Sequence, residues 1–168
     1  LENISKLKNH GVQFINPRVE ENKAKIASQT AIVDYIINFL QKPQDLKDIS
    51  FLITAGPSRE AIDRVRFISN PSTGKMGIAF AEQALERGAK VTLLLGPTSI
   101  LAPKNARIIN VVSAEDFANS AKAELTQNKY DILISAAAIG DFMPVQKEEK
   151  KISSDDGDLI VELKRTPK

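Results

Sequence analysis

Residues 52–60 read Leu-Ile-Thr-Ala-Gly-Pro-Ser-Arg-Glu, and residues 66–77 read Arg-Phe-Ile-Ser-Asn-Pro-Ser-Thr-Gly-Lys-Met-Gly. In the first stretch an apolar run ends in a small-residue turn at Thr54 to Ser58; in the second, a Ser/Thr/Gly/Lys turn from Ser72 to Gly77 opens an amphipathic helix. A buried strand that runs into a tight turn and then a helix start is the first half of a β-α-β unit. Backbone N–H groups at a helix N-terminus, a lysine ammonium and short hydroxyls all suit phosphate oxygens, and glycine lets the backbone approach them closely. Gly56, Ser72, Thr73, Gly74 and Lys75 are therefore the expected cradle for a phosphorylated ligand. The same residue types also favour ordinary turns and helix starts.

Working outward, Ser50 to Thr54 reads as a buried strand, Gly74 to Arg87 as a helix and Lys90 to Leu95 as a second strand, with Gly88 placed to end the helix in the left-handed conformation. A second unit follows: a strand at Arg107 to Val112, a helix capped by Ser113 with Phe117, Ala121 and Leu125 on one face, and a strand at Asp131 to Ser135. Strands alternating with helices imply a Rossmann-like three-layer α/β fold with a mainly parallel sheet, covered on both faces. Ligands bind such sheets beyond the carboxyl ends of the strands. The turns at Ala55-Gly56, Gly96-Pro97 and Ala136 to Gly140 all follow strands and are expected on one edge.

Before this region a short helical segment is expected, with helices at 2–10 and 27–41, a short strand at Val12 to Ile15 and a linker at Gln41 to Ile49. After Phe142 the order breaks down into Lys147 to Lys151 and Asp155 to Asp158, a charged segment expected to be mobile, and a final strand at Leu159 to Leu163.

Composition excludes several chemistries. The 168 residues are 42% apolar and 26% charged, enough for one sizeable core. No apolar run approaches the ~20 residues of a membrane span, and Leu1 to Gly11 lacks the order of a signal peptide, so a cytoplasmic location is expected. With no cysteine and one histidine, thiolate metal sites, cysteine nucleophiles and histidine triads are excluded. The net charge of +2, from 23 basic and 21 acidic residues, does not argue for nucleic acid. Three phosphate-site motifs fail on spacing. A Walker loop would need glycine at Ser69 and Ser or Thr at Met76; the G-x-G-x-x-G fingerprint has no second glycine after Gly56; and Tyr35 and Tyr130 are followed four places later by Phe39 and Ile134, not lysine.

Ile53 to Glu60, Asp63 to Asn70 and Ser72 to Gly77 together closely resemble the signature of bacterial phosphopantothenate-cysteine ligase. Ala136-Ala137-Ala138-Ile139-Gly140-Asp141-Phe142 and Lys151-Ile152 resemble later segments of the same family, so that the likeness runs over residues 46 to 167. In bacteria this ligase is usually the C-terminal half of a bifunctional protein whose N-terminal half is a flavin (FMN)-dependent decarboxylase. Residues 1–45 then read as the remnant tail of that half plus a linker, and 46–168 as the N-terminal part of the ligase domain, in a truncated chain. The absence of cysteine leaves decarboxylation unassigned.

The resemblance implies that 4'-phosphopantothenate and L-cysteine are joined at the expense of CTP, with Mg2+ bridging phosphate oxygens, through an acyl-cytidylate, in a homodimer that is larger where the decarboxylase half is present. It places Lys151 in the first step and Asn70 and Arg66 in the second, with Ala137 and Ala138 small enough for close approach of the intermediate. Ser135, Ala136, Asp141 and Pro167 fall at nucleotide-contacting positions, while Met143 stands where the family commonly has arginine. Each residue also has a plainer reading: Lys151 as a solvated lysine, Asn70 as a turn residue before Pro71, Arg66 as a surface ion pair, the alanines as tight packing and Asp141 as a cap. Two other readings of the chain stand beside the ligase: a non-catalytic nucleotide-binding or assembly fragment, and an NAD(P)-dependent oxidoreductase.

Overall fold

Apolar runs at residues 50–55, 90–95, 107–110 and 132–135 form one four-stranded sheet, in which 51–55 and 91–95 are buried while Ile132 and Leu133 of the edge strand remain exposed. The computed structural model describes residues 2–20, 23–40, 43–153 and 157–166, and the chain divides into two units, residues 1–42 and residues 43–168. The first contains α1 (Glu2–Asn9), β1 (Arg18–Glu20), β2 (Lys23–Lys25) and α2 (Gln29–Leu40). The second contains β3 (Ser50–Ala55), β4 (Arg59–Ala61), β5 (Phe67–Ser69), α3 (Lys75–Glu86), β6 (Lys90–Leu95), β7 (Arg107–Asn110), α4 (Ala114–Gln127), β8 (Ile132–Ser135), β9 (Phe142–Pro144) and β10 (Leu163–Arg165). No helix among the described residues is long and apolar enough to cross a membrane.

In the first unit both expected helices form, but the strand expected at Val12 to Ile15 does not. Pro17 offers no N–H to a ladder. The chain pairs just beyond it instead, where β1 and β2 make an antiparallel hairpin joining Arg18 to Lys25, with Lys25 Nζ on Glu20 Oε2 at 2.8 Å. Ser28 Oγ caps α2 by accepting the Ala31 N–H.

The second unit is α/β. Its sheet runs β7-β6-β3-β8, parallel throughout, with Ile53 opposite both Leu93 and Ile134. The period of two along β3 divides the core. Phe51, Ile53 and Ala55 join Val91, Leu93 and Leu95 under Ile78, Ala81 and Ala84 of α3, whereas Leu52, Leu94 and Val111 pack with Phe117 of α4 on the other face. Helix α3 ends as the sequence indicates: Gly88 takes φ 89°, and the Gly88 and Ala89 amides donate to Leu85 and Ala84 carbonyls. Ser113 caps α4 in a reciprocal box with Asp116, Ser113 Oγ accepting the Asp116 amide and Asp116 Oδ2 the Ser113 amide.

Two hairpins lie outside the expectation. β4 and β5 pair antiparallel with Glu60 opposite Ile68, and β9 pairs with β10, so the last strand lies at Leu163–Arg165 rather than Leu159 to Leu163. Phe142–Pro144 supplies its ladder partner, which is what places it there. Of the segment expected to be mobile, the part around Lys147 to Lys151 is tied to the protein: the Glu148 amide donates to Ile62 O at 2.9 Å and the Ile152 amide to Asp63 Oδ2 at 3.1 Å, while Asp155 and Asp156 lie outside the described residues.

At the amino edge of the sheet the buried Glu124 accepts both Arg107 terminal nitrogens at 2.6 and 2.9 Å, Asn128 Nδ2 at 3.0 Å and the Tyr130 hydroxyl at 2.5 Å. The Arg107 guanidinium, ahead of the Tyr130 hydroxyl, holds the Glu124 carboxyl below its ordinary range. A depressed carboxyl adds stability above its unfolded pKa and loses it as pH falls through the folded value. Glu124→Gln is therefore expected to lower unfolding stability by about 2 kcal/mol at pH 7, the scale of hydrogen bonds to a charged group. The gap to wild type should close as pH falls from about 5, and urea unfolding across that range checks both; a loss independent of pH contradicts the assignment.

Candidate functional site

The order β7-β6-β3-β8 reverses direction between β3 and β8, because the chain moves outward from β3 to β7 and then returns to its other side. Loops part at such a point, leaving a crevice at the carboxyl ends of the two strands. The three small-residue turns meet there. The Gly96 amide donates to Ala55 O at 2.8 Å, the Ala138 amide to Gly56 O at 2.9 Å, and Pro57 bridges Ala138 in parallel register. Thr54 Oγ1, on the last turn of β3, accepts the Ala136 and Ala137 amides at 3.1 Å each.

The start of α3 is brought onto the same rim. A Cβ on Gly77 would stand 2.5 Å from Ala55 Cβ, so only glycine lets the first helical turn lie on the strand end, and an added Cβ on Gly74 would stand 3.1 Å from Gly56 Cα. Gly74 is the N-cap and no side chain bonds the helix start from that position. The Lys75 amide donates to Thr73 Oγ1 at 3.5 Å, and the rest of the first turn of α3 carries the positive end of the helix dipole. Ser72 Oγ accepts the Gly74 amide at 3.3 Å, which leaves its O–H to donate, and Thr98 Oγ1 donates to Thr73 O at 2.7 Å, fixing the loop from the β6 side. Lys75 is the first helical residue and is exposed.

The β4–β5 hairpin leaves the rim between these loops. Asn70, at its root, donates through Nδ2 to Ile139 O at 3.2 Å and Ala138 O at 3.4 Å, joining the hairpin to the loop after β8. The buried Ser58 accepts the Gly140 amide on Oγ at 2.9 Å, and Ser69 Oγ donates to Ser58 O at 2.6 Å. Buried Glu60 accepts the Ala114 amide at 2.8 Å, at the start of α4. At the hairpin tip the buried Asp63 accepts the Val65 and Arg66 amides on Oδ1 at 2.7 and 2.6 Å, and Arg66 Nη1 and the Ile152 amide on Oδ2 at 2.6 and 3.1 Å. The Arg66 amide, ahead of the other donors, holds the Asp63 carboxyl well below the usual carboxylate range.

Residues 46–168 match the family described as DNA/pantothenate metabolism flavoprotein C-terminal domain. The chain belongs to that family. It is 45% identical over 167 residues to the coenzyme A biosynthesis bifunctional protein CoaBC of Thermococcus kodakarensis, and 36% identical over 172 residues to that of Haemophilus influenzae. Both alignments cover 99% of this chain but 41% and 42% of those proteins, so the chain spans about two fifths of the curated relatives' length. The crystal structure of the C-terminal domain of a CoaBC protein superposes with a TM-score of 0.63 at 37% identity, over 74% of this chain and 57% of that one. The Rossmann-like architecture is that of the flavoprotein C-terminal domain family.

Within this family domain the rim gathers Gly56, Asn70, Ser72, Thr73, Gly74, Lys75, Ala137 and Ala138. Ser135 ends β8 opposite Thr54, and the Ala136 amide is spent on Thr54, so any ligand contact there must use the carbonyl side. Asp141 stands on the next loop, its carbonyl accepting the Thr166 amide at 3.0 Å. Lys151 and Arg66 are not on the rim. They lie at the hairpin tip, three strand residues or about 10 Å from the root. Arg66 forms the ion pair of its plainer reading, with Asp63 as partner. Pro167 lies outside the described residues, as do Gln41, Asp155 and Asp156.

Thr54, Ser58, Asp63 and Thr98 were not singled out in the sequence, yet they position the loops. Thr54, a polar residue inside the apolar run 51–55, carried a signal; the others lie in turns where their types are common. Among the described residues no three His, Cys, Asp or Glu side chains converge to hold a metal ion.

Proposed function

We propose that this chain carries the nucleotide-binding part of a CTP-dependent ligase that joins 4'-phosphopantothenate to L-cysteine in coenzyme A biosynthesis. The observation that carries the reading is the meeting of the α3 start with Gly56 and of Asn70 with the Ala138–Ile139 loop, at one strand-end crevice. Family membership and the names of the relatives support the pathway.

In the first step a carboxylate oxygen of phosphopantothenate bonds to the α-phosphorus of CTP, and the α–β phosphoanhydride bond breaks, releasing pyrophosphate with its electron pair. In the second the cysteine amine attacks the acyl carbon, loses a proton, and CMP leaves with the acyl–oxygen bonding pair. The first-turn amides of α3, the Ser72 and Thr73 hydroxyls and the Lys75 ammonium bind the triphosphate, with magnesium arriving as part of the nucleotide substrate. Asp141 accepts from the cytosine or ribose, and Ala137 and Ala138 leave room for the acyl group. By the family resemblance Lys151 meets the charge that builds at the α-phosphate, although its place at the hairpin tip lies off the rim. The family resemblance further supports a cytoplasmic homodimer.

Ligand-dependent melting of the full-length protein tests the reading. CTP at a hundredfold excess over its Kd is expected to raise Tm by about 5 °C, and Lys75→Ala to reduce that rise. Stabilisation by NADPH alone would overturn the proposal in favour of an oxidoreductase, and no response to CTP, ATP or NADPH in favour of an assembly module.

A further inference from the structure

Ile152 is held on both sides of its backbone by side chains that precede it by more than eighty residues. Its N–H donates to Asp63 Oδ2 at 3.1 Å and its carbonyl accepts Arg66 Nη1 at 3.2 Å, while Nη1 also bonds Oδ2 at 2.6 Å. Asp63 itself is 3% exposed and anchored by its other oxygen to the turn amides of Val65 and Arg66. Four residues earlier the Glu148 amide bonds Ile62 O at 2.9 Å, so the segment 148–152 lies along the hairpin tip with both ends fixed. Nothing in the segment's own sequence would order it: Lys147 to Lys151 are all charged, and residues 149–152 form no helix or strand.

We propose that Asp63 is a positioning residue of the ligase reaction: with Arg66 it forms a clasp on the Ile152 backbone that sets where the adjoining Lys151 can reach. The catalytic purpose of the clasp rests on the assignment of Lys151 made above. The two carboxylate oxygens divide the labour. Oδ1 shapes the hairpin turn and Oδ2 receives the clasp, so the two roles are separable by one substitution. In Asp63→Asn the amide oxygen can keep the turn, whereas an NH2 in place of Oδ2 would face the Arg66 and Ile152 donors with no acceptor to offer.

Hydrogen–deuterium exchange on the full-length protein reads the clasp directly. Asp63→Asn is expected to speed exchange at the Ile152 amide roughly tenfold while the Val65 and Arg66 amides stay slow, as lost and kept hydrogen bonds require. Pyrophosphate release from CTP and phosphopantothenate should fall roughly tenfold through misplacement of Lys151, with the CTP-induced rise in Tm unchanged. Unchanged exchange at Ile152 overturns the clasp. Faster exchange with undiminished pyrophosphate release overturns the positioning role if Lys151→Gln abolishes that release, and overturns the Lys151 assignment if Lys151→Gln leaves it intact. Should Asp63→Asn melt far below wild type, Arg66→Met removes the Ile152 carbonyl contact while leaving Oδ1 in place, and unchanged exchange at residues 151–153 in that variant likewise overturns the clasp.

Discussion

Lys151→Gln in the full-length protein is expected to abolish pyrophosphate release, by at least 10²–10³-fold, while CTP still raises the melting temperature. The reasoning begins with charge. Attack of a carboxylate on a triphosphate brings two anionic groups together, and the barrier falls only if cations and oriented donors meet the charge that builds at the α-phosphate; loss of one such donor costs about 10²–10³-fold. Glutamine keeps much of the length and polarity of lysine and loses the charge. Binding should survive because the triphosphate cradle belongs to a different element: the α3 start, Ser72, Thr73 and Lys75 are placed by contacts with Gly56 and Thr98, none of which involves residue 151. A coupled pyrophosphate assay with phosphopantothenate and CTP, without cysteine, isolates the step. Wild-type release in this variant would remove Lys151 from the mechanism and return it to a solvated lysine in a charged run.

The parts of the fold legible in the sequence are those stabilised by apolar burial. Ser50–Ala55, Lys90–Leu95, Arg107–Asn110 and Ile132–Ser135 are short and hydrophobic, and α3 and α4 repeat apolar residues at helical spacing, so periodicity alone identified the sheet and its two covers. The two hairpins of the second unit were not legible, for one reason. Arg59–Ala61, Phe67–Ser69, Phe142–Pro144 and Leu163–Arg165 are three residues each, too short for alternation to register. The candidate site divides in the same way. Turns that follow strands could be gathered on one rim by topology, and Gly56, Asn70, Ala138 and the Ser72–Lys75 loop do meet there. Apart from Thr54, the polar residues that hold those loops were not legible, because a serine such as Ser58 or an aspartate such as Asp63 in a turn looks the same whether it faces water or is buried. Burial is a tertiary fact. It turns Asp63 from a turn residue into the acceptor of four hydrogen bonds, and it pairs Arg66, which the resemblance places in the second step, with that buried carboxylate.

Asn70→Asp is expected to separate the two half-reactions in the opposite sense, with pyrophosphate released at close to the wild-type rate and product formation slowed about 10²-fold. Asn70 stands where the hairpin root meets the loop after β8, and its amide nitrogen points at two carbonyl oxygens, Ala138 O and Ile139 O. Aspartate has no donor to give them, and its charge would repel both, so the loop carrying Ala137 and Ala138 should shift outward by about 1 Å. In the proposed reaction the first step should tolerate this, because carboxylate attack is assigned to the α-phosphate, over the α3 start. The second step does not. The acyl carbon has to be presented to the incoming amine beside Ala138, and displacement of a reacting group by about 1 Å costs roughly 10²-fold. Rapid-quench measurement of both products from one reaction reads the split, with acyl-cytidylate accumulating in Asn70→Asp and absent in Lys151→Gln. If Asn70→Asp instead slows both steps equally, Asn70 serves only to close the rim, and the division of labour between hairpin root and hairpin tip falls with it.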